Sequence, residues 1–186
     1  MVVFFASVIS HTIYMQHRRL TVDPTTYGPL LQLIAHAESK DNYNAYFGNA
    51  GNTSIYFTTM SIAEVMKWQA DYIHQGSASD AVGRYQIISS TLISLVQQLG
   101  INTNELFNPS TQDRLAIALL ERRGSENYVN NELSRKEFAA NLAKEWAALP
   151  KVIGDDPSSY YAGDGLNKSL VSIDEVQKAI APISSR

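Results

Sequence analysis

Apolar residues recur at helical spacing from residue 30. Leu30, Leu31, Leu33, Ile34 and Ala35 lead to Glu38, with Pro29 placed for the first turn. On a helix, Glu38 shares a face with Leu31, Ile34 and Ala35, seven, four and three positions back. The pattern then changes. Tyr43, Ala45 and Phe47 alternate with polar neighbours, residues 48–52 form a Gly/Asn-rich turn signal, and Ile55-Tyr56-Phe57-Thr58 are strand formers. This predicts a β-hairpin over residues 42–59.

Helical signals dominate the rest. Ser61-Ile62-Ala63-Glu64 is a capping box opening a helix to about Ile73, which makes Glu64 a cap rather than a catalyst. Residues 76–83 form a small-residue loop. Ser89 or Ser90 opens a helix that stops at Gly100, and Asn108-Pro109 opens another that runs through Leu115, Leu119 and Leu120 to Gly124. A second capping box at Ser134 and Glu137 starts a helix. Phe138, Leu142, Trp146 and Leu149 share one face of it, and Pro150 ends it. A loop over residues 151–170 holds Tyr160-Tyr161-Ala162-Gly163-Asp164-Gly165. Ser172 and Glu175 cap the last helix, whose apolar positions are Val176, Ala179 and Ile180. Mainly helical elements with one small antiparallel hairpin make an α+β domain, with a cleft between hairpin and helical lobe.

Composition narrows the function. Of 186 residues, 45% are hydrophobic and 18% charged, enough to bury a core. The net charge of −3 and the absence of a basic stripe argue against nucleic-acid binding. With no cysteine there is no disulfide, thiolate metal site or cysteine nucleophile. His11, His17, His36 and His74 show no ligand spacing, so neither metal nor cofactor is expected. Ten tyrosines, many beside turns, suit a sugar-binding cleft.

Residues 1–15 are apolar but broken by Ser10, His11 and Thr12, and shorter than the roughly 20 residues of a spanning helix. Arg18 and Arg19 follow the apolar stretch instead of preceding it, unlike a secretory signal. A segment packed on the domain or a docking arm for a larger assembly is preferred to a weak membrane anchor. Residues 21–27, with Asp23-Pro24, read as the linker. The expected organisation is an arm over residues 1–26 and a catalytic domain over 27–186.

The chemistry centres on Glu38. A carboxyl at the end of an apolar stripe is partly desolvated, which raises its pKa toward that of a general acid. Glu38-Ser39, then Ala81-Val82-Gly83-Arg84-Tyr85-Gln86, then Leu99-Gly100-Ile101, Phe107-Asn108-Pro109, Gln112-Asp113, Arg123-Gly124 and Trp146-Ala147-Ala148-Leu149-Pro150 occur in order. In this the chain resembles the lambda-type phage endolysins, lytic transglycosylases of the lysozyme-like superfamily, over residues 30–150. Tyr161-Ala162-Gly163 resembles the aromatic-Ala-Gly loop of cell-wall lytic transglycosylases more loosely. The acidic charge and the N-terminal arm depart from the pattern.

The resemblance implies Glu38 as catalytic acid and base on peptidoglycan glycan strands. Ser39, Tyr85, Gln86 and Tyr161 would be substrate-binding residues. For Tyr85, core packing is an equal alternative, and Arg84 fits a structural ion pair. Most glycosidases use two carboxyl groups. Where phage lysozymes of the two-carboxylate type carry their second acid, this chain has Phe47, although Thr53 falls on their Thr position. Asp41 reads as a turn residue and Asp80 as a loop carboxylate. A lone acid suits a lytic transglycosylase with a 1,6-anhydromuramic product. The alternatives are a hydrolytic muramidase using Asp41 or Asp80, and a non-catalytic virion or wall-binding protein. The setting would be the phage virion, slightly preferred because other virion proteins could hold the arm, or the host periplasm and cell wall.

Overall fold

The computed structural model describes residues 20–185, and residues 1–19 of the arm expected over residues 1–26 lie outside them. Seven α-helices form the frame: α1 (Gly28–Ser39), α2 (Ile62–His74), α3 (Ser89–Leu99), α4 (Pro109–Arg122), α5 (Ser125–Val129), α6 (Arg135–Leu142) and α7 (Ile173–Ile180). The α1 helix packs on α7, α7 on α6, and α2 on α3, while α5 links α4 to α6. The core includes Leu30, Ile34, Phe57, Leu92, Leu115, Phe138 and Ile180, all fully buried. Among the described residues no helix is long and apolar enough to cross a membrane.

The helix starts follow local chemistry. Capping boxes at Ser61/Glu64, Ser134/Glu137 and Ser172/Glu175 open α2, α6 and α7. Asn108 caps α4, its side chain accepting from the Thr111 N–H at 3.0 Å. Asn108→Ala should cost about 1 kcal/mol. The thermal midpoint should fall by roughly 2–4 °C, as a melting curve would show.

Residues 20–27 are packed on the domain, not strung out as a linker. Val22 pairs with Ser185, Asp23 caps the short turn Pro24–Tyr27, and Tyr27 is fully buried with its hydroxyl 2.6 Å from Ser125 Oγ.

Two expectations fail. The hairpin over residues 42–59 does not form: the described residues contain no sheet, only isolated bridges such as Tyr46 with Asn49 and Val82. Asparagine side chains take the place of a ladder. Asn42 Nδ2 donates to the carbonyls of Ala50 and Asn52, and Asn52 Nδ2 to those of Asn44 and Ile55. Short amides that bond backbone groups locally compete with strand pairing. The strand formers instead turn into Phe57–Thr59, which drives Phe57 into the core edge-on to Trp68, with ring centroids 4.7 Å apart.

The helix expected to reach Pro150 stops at Leu142. Phe138, Leu142, Trp146 and Leu149 are all buried, but Trp146 and Leu149 get there through turns. A continued helix would pair the Ala148 N–H with the Lys144 carbonyl. Here both groups are used elsewhere: Ala148 N–H donates to Glu38 Oε1 (3.0 Å), and Lys144 O accepts from Tyr161 Oη (2.8 Å).

Candidate active site

Helix α1 ends at Ser39 because Lys40 and Asp41 turn left-handed, with φ of 54° and 67°. This leaves Glu38 in the last turn, with Leu31, Ile34 and Ala35 buried along its face. The carboxyl lies at a cleft of about 540 Å³. Burial pushes its pKa from 4.5 up to about 7, against the opposing Ala148 N–H bond. The negative end of the helix dipole acts in the same direction as burial. Glu38 Oε1 accepts from the Ala148 N–H at 3.0 Å.

The turn over residues 83–86 forms the neighbouring wall. Val82 and Ile87 exchange backbone hydrogen bonds (Val82 N to Ile87 O, 3.1 Å; Ile87 N to Val82 O, 2.9 Å). Buried Gln69 braces the turn from behind through Nε2 to Asp80 O and Ile87 O. Buried Gln112 holds its other side: Oε1 accepts from Arg84 N–H (2.8 Å), while Nε2 donates to Tyr43 O (3.0 Å) and Phe107 O (2.9 Å). Gln86 lines the cleft with φ of 47°, and its Nε2 donates to Gly83 O (2.9 Å), leaving the amide oxygen as an acceptor.

Of the residues singled out from sequence, Glu38, Tyr85, Gln86 and Tyr161 come together along this cleft. Ser39 does not line it. Buried behind the wall, its hydroxyl lies 2.9 Å from Ala35 O and 2.8 Å from Arg84 O, joining the end of α1 to the turn. Tyr85 has both characters weighed for it: it borders the cleft, yet is almost fully buried, and its hydroxyl donates to Asp113 Oδ1 at 2.7 Å. Burial and this carboxylate hold the phenol far above its ordinary value, so Tyr85 stays neutral. Arg84 is structural: it donates to Gln32, Tyr43 and Tyr85 and lies 3.5 Å from Asp41 and 3.7 Å from Asp113. Tyr161, exposed, ties its loop to Lys144 by donating from its hydroxyl to the Lys144 carbonyl.

The candidate second acids lie outside the cleft lining. Asp41 accepts from Gln32 Nε2 (2.7 Å), and buried Asp80 accepts from Ser89 N–H (3.3 Å). The cleft's other carboxylates are Glu145 and Asp164, neither anticipated from sequence. Glu145 is locked to Arg122 and Arg123, and Asp164 accepts from the N–H groups of Leu166 and Asn167. Trp146 was anticipated only as core. It lines the cleft and donates from Nε1 to Tyr85 O at 3.2 Å. Among the described residues no group of three or more His, Asp or Glu could hold a metal ion.

A helical frame with a carboxyl of raised pKa at the end of its first helix, at a cleft lined by polar and apolar side chains alike, is a lysozyme-like arrangement. The fold matches that of bacteriophage lambda lysozyme, in a complex with a chitohexasaccharide, with a TM-score of 0.53 and 18% identity, covering 90% of this chain and 99% of that one. A search of curated protein sequences returned no significant match. The endolysin family profile matches residues 29–162, and the chain belongs to that family. The coarse activity follows: it is a peptidoglycan-degrading enzyme of phage type, acting at the host cell wall. Carriage in the virion, preferred from the arm over residues 1–26, gains no support, and residues 1–19 of that arm lie outside those described.

Proposed function

We propose that this endolysin is a lytic transglycosylase with Glu38 as its single acid and base. One observation carries the reading: beside Glu38, the cleft's other acids, Glu145 and Asp164, are already engaged, and Asp41 and Asp80 lie outside it. Protonated Glu38 donates to the oxygen between N-acetylmuramic acid and N-acetylglucosamine as that bond breaks. The 2-acetamido carbonyl of the muramic residue stabilises its C1. The resulting Glu38 carboxylate takes the proton from the C6 hydroxyl, and O6 bonds to C1. The product is a 1,6-anhydro ring, and no water is consumed. A pKa of about 7 suits both halves of this cycle near neutral pH.

Gln86 Oε1 and the Tyr161 ring are the groups proposed to contact sugar. Tyr85 and Ser39 are proposed to hold the wall in place, and positioning of O6 over C1 depends on that wall. That lambda lysozyme was solved with a chitohexasaccharide supports an extended glycan as ligand for the matching cleft here. A hydrolytic muramidase is the second reading, favoured by the presence of the Glu145 carboxylate in the same cleft.

Mass spectrometry of digested Gram-negative peptidoglycan decides between them. The expected muropeptides end in 1,6-anhydromuramic acid, one water lighter than the reducing form. Reducing-end muramic acid would overturn the transglycosylase assignment.

A further inference from the structure

The wall made by the end of α4 and the turn after α6 concentrates positive charge in an otherwise acidic chain. Glu145, with its side chain only 7% exposed, accepts from Arg122 Nη2 at 3.0 Å on both oxygens and from Arg123 Nε at 2.7 Å. One carboxylate therefore fixes two guanidinium groups and neutralises one. Lys144 adds a further charge, its Nζ meeting only a neutral acceptor, Asn141 Oδ1, at 3.2 Å among the described residues. The arginine side chains keep 30% and 27% of their exposure, so they are held by Glu145 yet open to the cleft. Asp164 also lines the cleft and stays ionised, because hydrogen bonds from Asn167 and from the Leu166 N–H hold its carboxyl below the usual range, so the cleft wall carries three positive charges against the two of Glu145 and Asp164. A buried acid that pins two planar guanidinium groups at a cleft wall prepares them for bidentate carboxylate recognition.

We propose that Arg122, Arg123 and Lys144 form a subsite for carboxylates borne on the muramic acid side chain. The source is the lactyl carboxylate of a peptide-free muramic residue or, where a stem peptide is amide-linked to that group, the carboxylates of the peptide. Arg122, Arg123 and Lys144 line the same cleft as Glu38, and Lys144 lies a few residues before Ala148, the residue that holds the Glu38 carboxyl. This assignment rests on the peptidoglycan-cleaving reading. It explains how an acidic protein engages an anionic polymer: this wall of the cleft is slightly positive, opposite in sign to the whole molecule, and its cations are held in place at short range.

The test uses the full chain and the variant Arg122→Gln/Lys144→Gln, in which Arg123 still pairs with Glu145. Bond-cleavage rates are measured on intact sacculi and on glycan strands stripped of peptide by an amidase, which leaves the lactyl carboxylate free. Binding of a neutral N-acetylglucosamine hexamer is followed by tryptophan fluorescence. The variant should lose about tenfold in kcat/KM on carboxylate-bearing strands, and the loss should shrink as salt is raised. Affinity for the neutral hexamer should not change. A loss confined to intact sacculi assigns the carboxylates of the stem peptide, a loss confined to the stripped strands assigns the lactyl carboxylate, and a loss on both assigns a subsite that takes either. Unchanged rates, or an equal loss of hexamer binding, would overturn the proposal. Lys144→Arg alone should keep the wild-type rate. Product end groups, read from the same digests, judge the transglycosylase reading separately.

Discussion

Glu38→Gln should lower glycan cleavage by roughly 10²–10⁴-fold and at the same time stabilise the protein above neutral pH. The activity loss follows from removing the transferable proton at the cleft. The stability gain follows from the cost of ionising Glu38 in the fold. In the unfolded chain the carboxyl ionises near 4.5, whereas burial lets the folded protein hold that proton to about 7. Between those values the folded state binds more protons than the unfolded state. Wild-type stability therefore falls as pH rises through this window, and the deficit is complete above about 7. Its size is on the order of 3 kcal/mol. The glutamine side chain of the variant carries no charge at any pH, and its amide oxygen can still accept from Ala148 N–H. Urea unfolding at pH 4 and pH 8 should show the variant close to wild type at the lower pH and clearly more stable at the higher. An equal difference at both pH values would refute the desolvated state of Glu38. Fully retained lysis would refute its catalytic role.

Gly83→Ala should destabilise the fold by about 3 kcal/mol and impair cleavage. Two costs combine. Gly83 has φ of 77°, which costs a residue with a Cβ about 1–2 kcal/mol. The added Cβ would also collide with Gln112 Oε1 and press to 3.0 Å from Phe107 Cε1. Gln112 cannot yield without losing its bonds to Arg84, Tyr43 and Phe107, and each buried group left unpaired costs about 1–3 kcal/mol. The expected fall in thermal midpoint is roughly 6–12 °C. Gly100→Ala is the control. Its φ of 62° is also left-handed, but nothing lies within 4 Å of the added Cβ, so only the conformational cost remains. If both variants melted together, close packing behind the turn would not be what fixes Gly83. Cleavage should suffer at Gly83 alone, because both the backbone N–H and Nε2 of Gln86 bond the Gly83 carbonyl.

Helix starts were legible because each depends on neighbours in sequence. Ser61, Asn108, Ser134 and Ser172 cap helices by bonding N–H groups three residues on, and no distant residue is needed. Glu38 was legible for a similar reason: its apolar face lies within one helix. The hairpin misreading came from weighing Tyr43, Ala45, Phe47 and residues 55–58 by side-chain type. The asparagines between them took over the backbone bonds that a ladder needs.

The sequence by itself determined the helical frame, the acid at the end of α1 and the glycine-to-glutamine turn beside it. Only the tertiary structure decided how that acid is served and what faces it. Ala148 lies 110 positions from Glu38, and its N–H reaches the carboxyl because α6 ends early. Ser39 went behind the wall, Trp146 came to the cleft, and Glu145 gathered Arg122 and Arg123 into a charged margin. Local hydrogen bonds and periodicity are written in adjacent residues. Desolvation and charge pairing depend on groups that only the folded chain brings together.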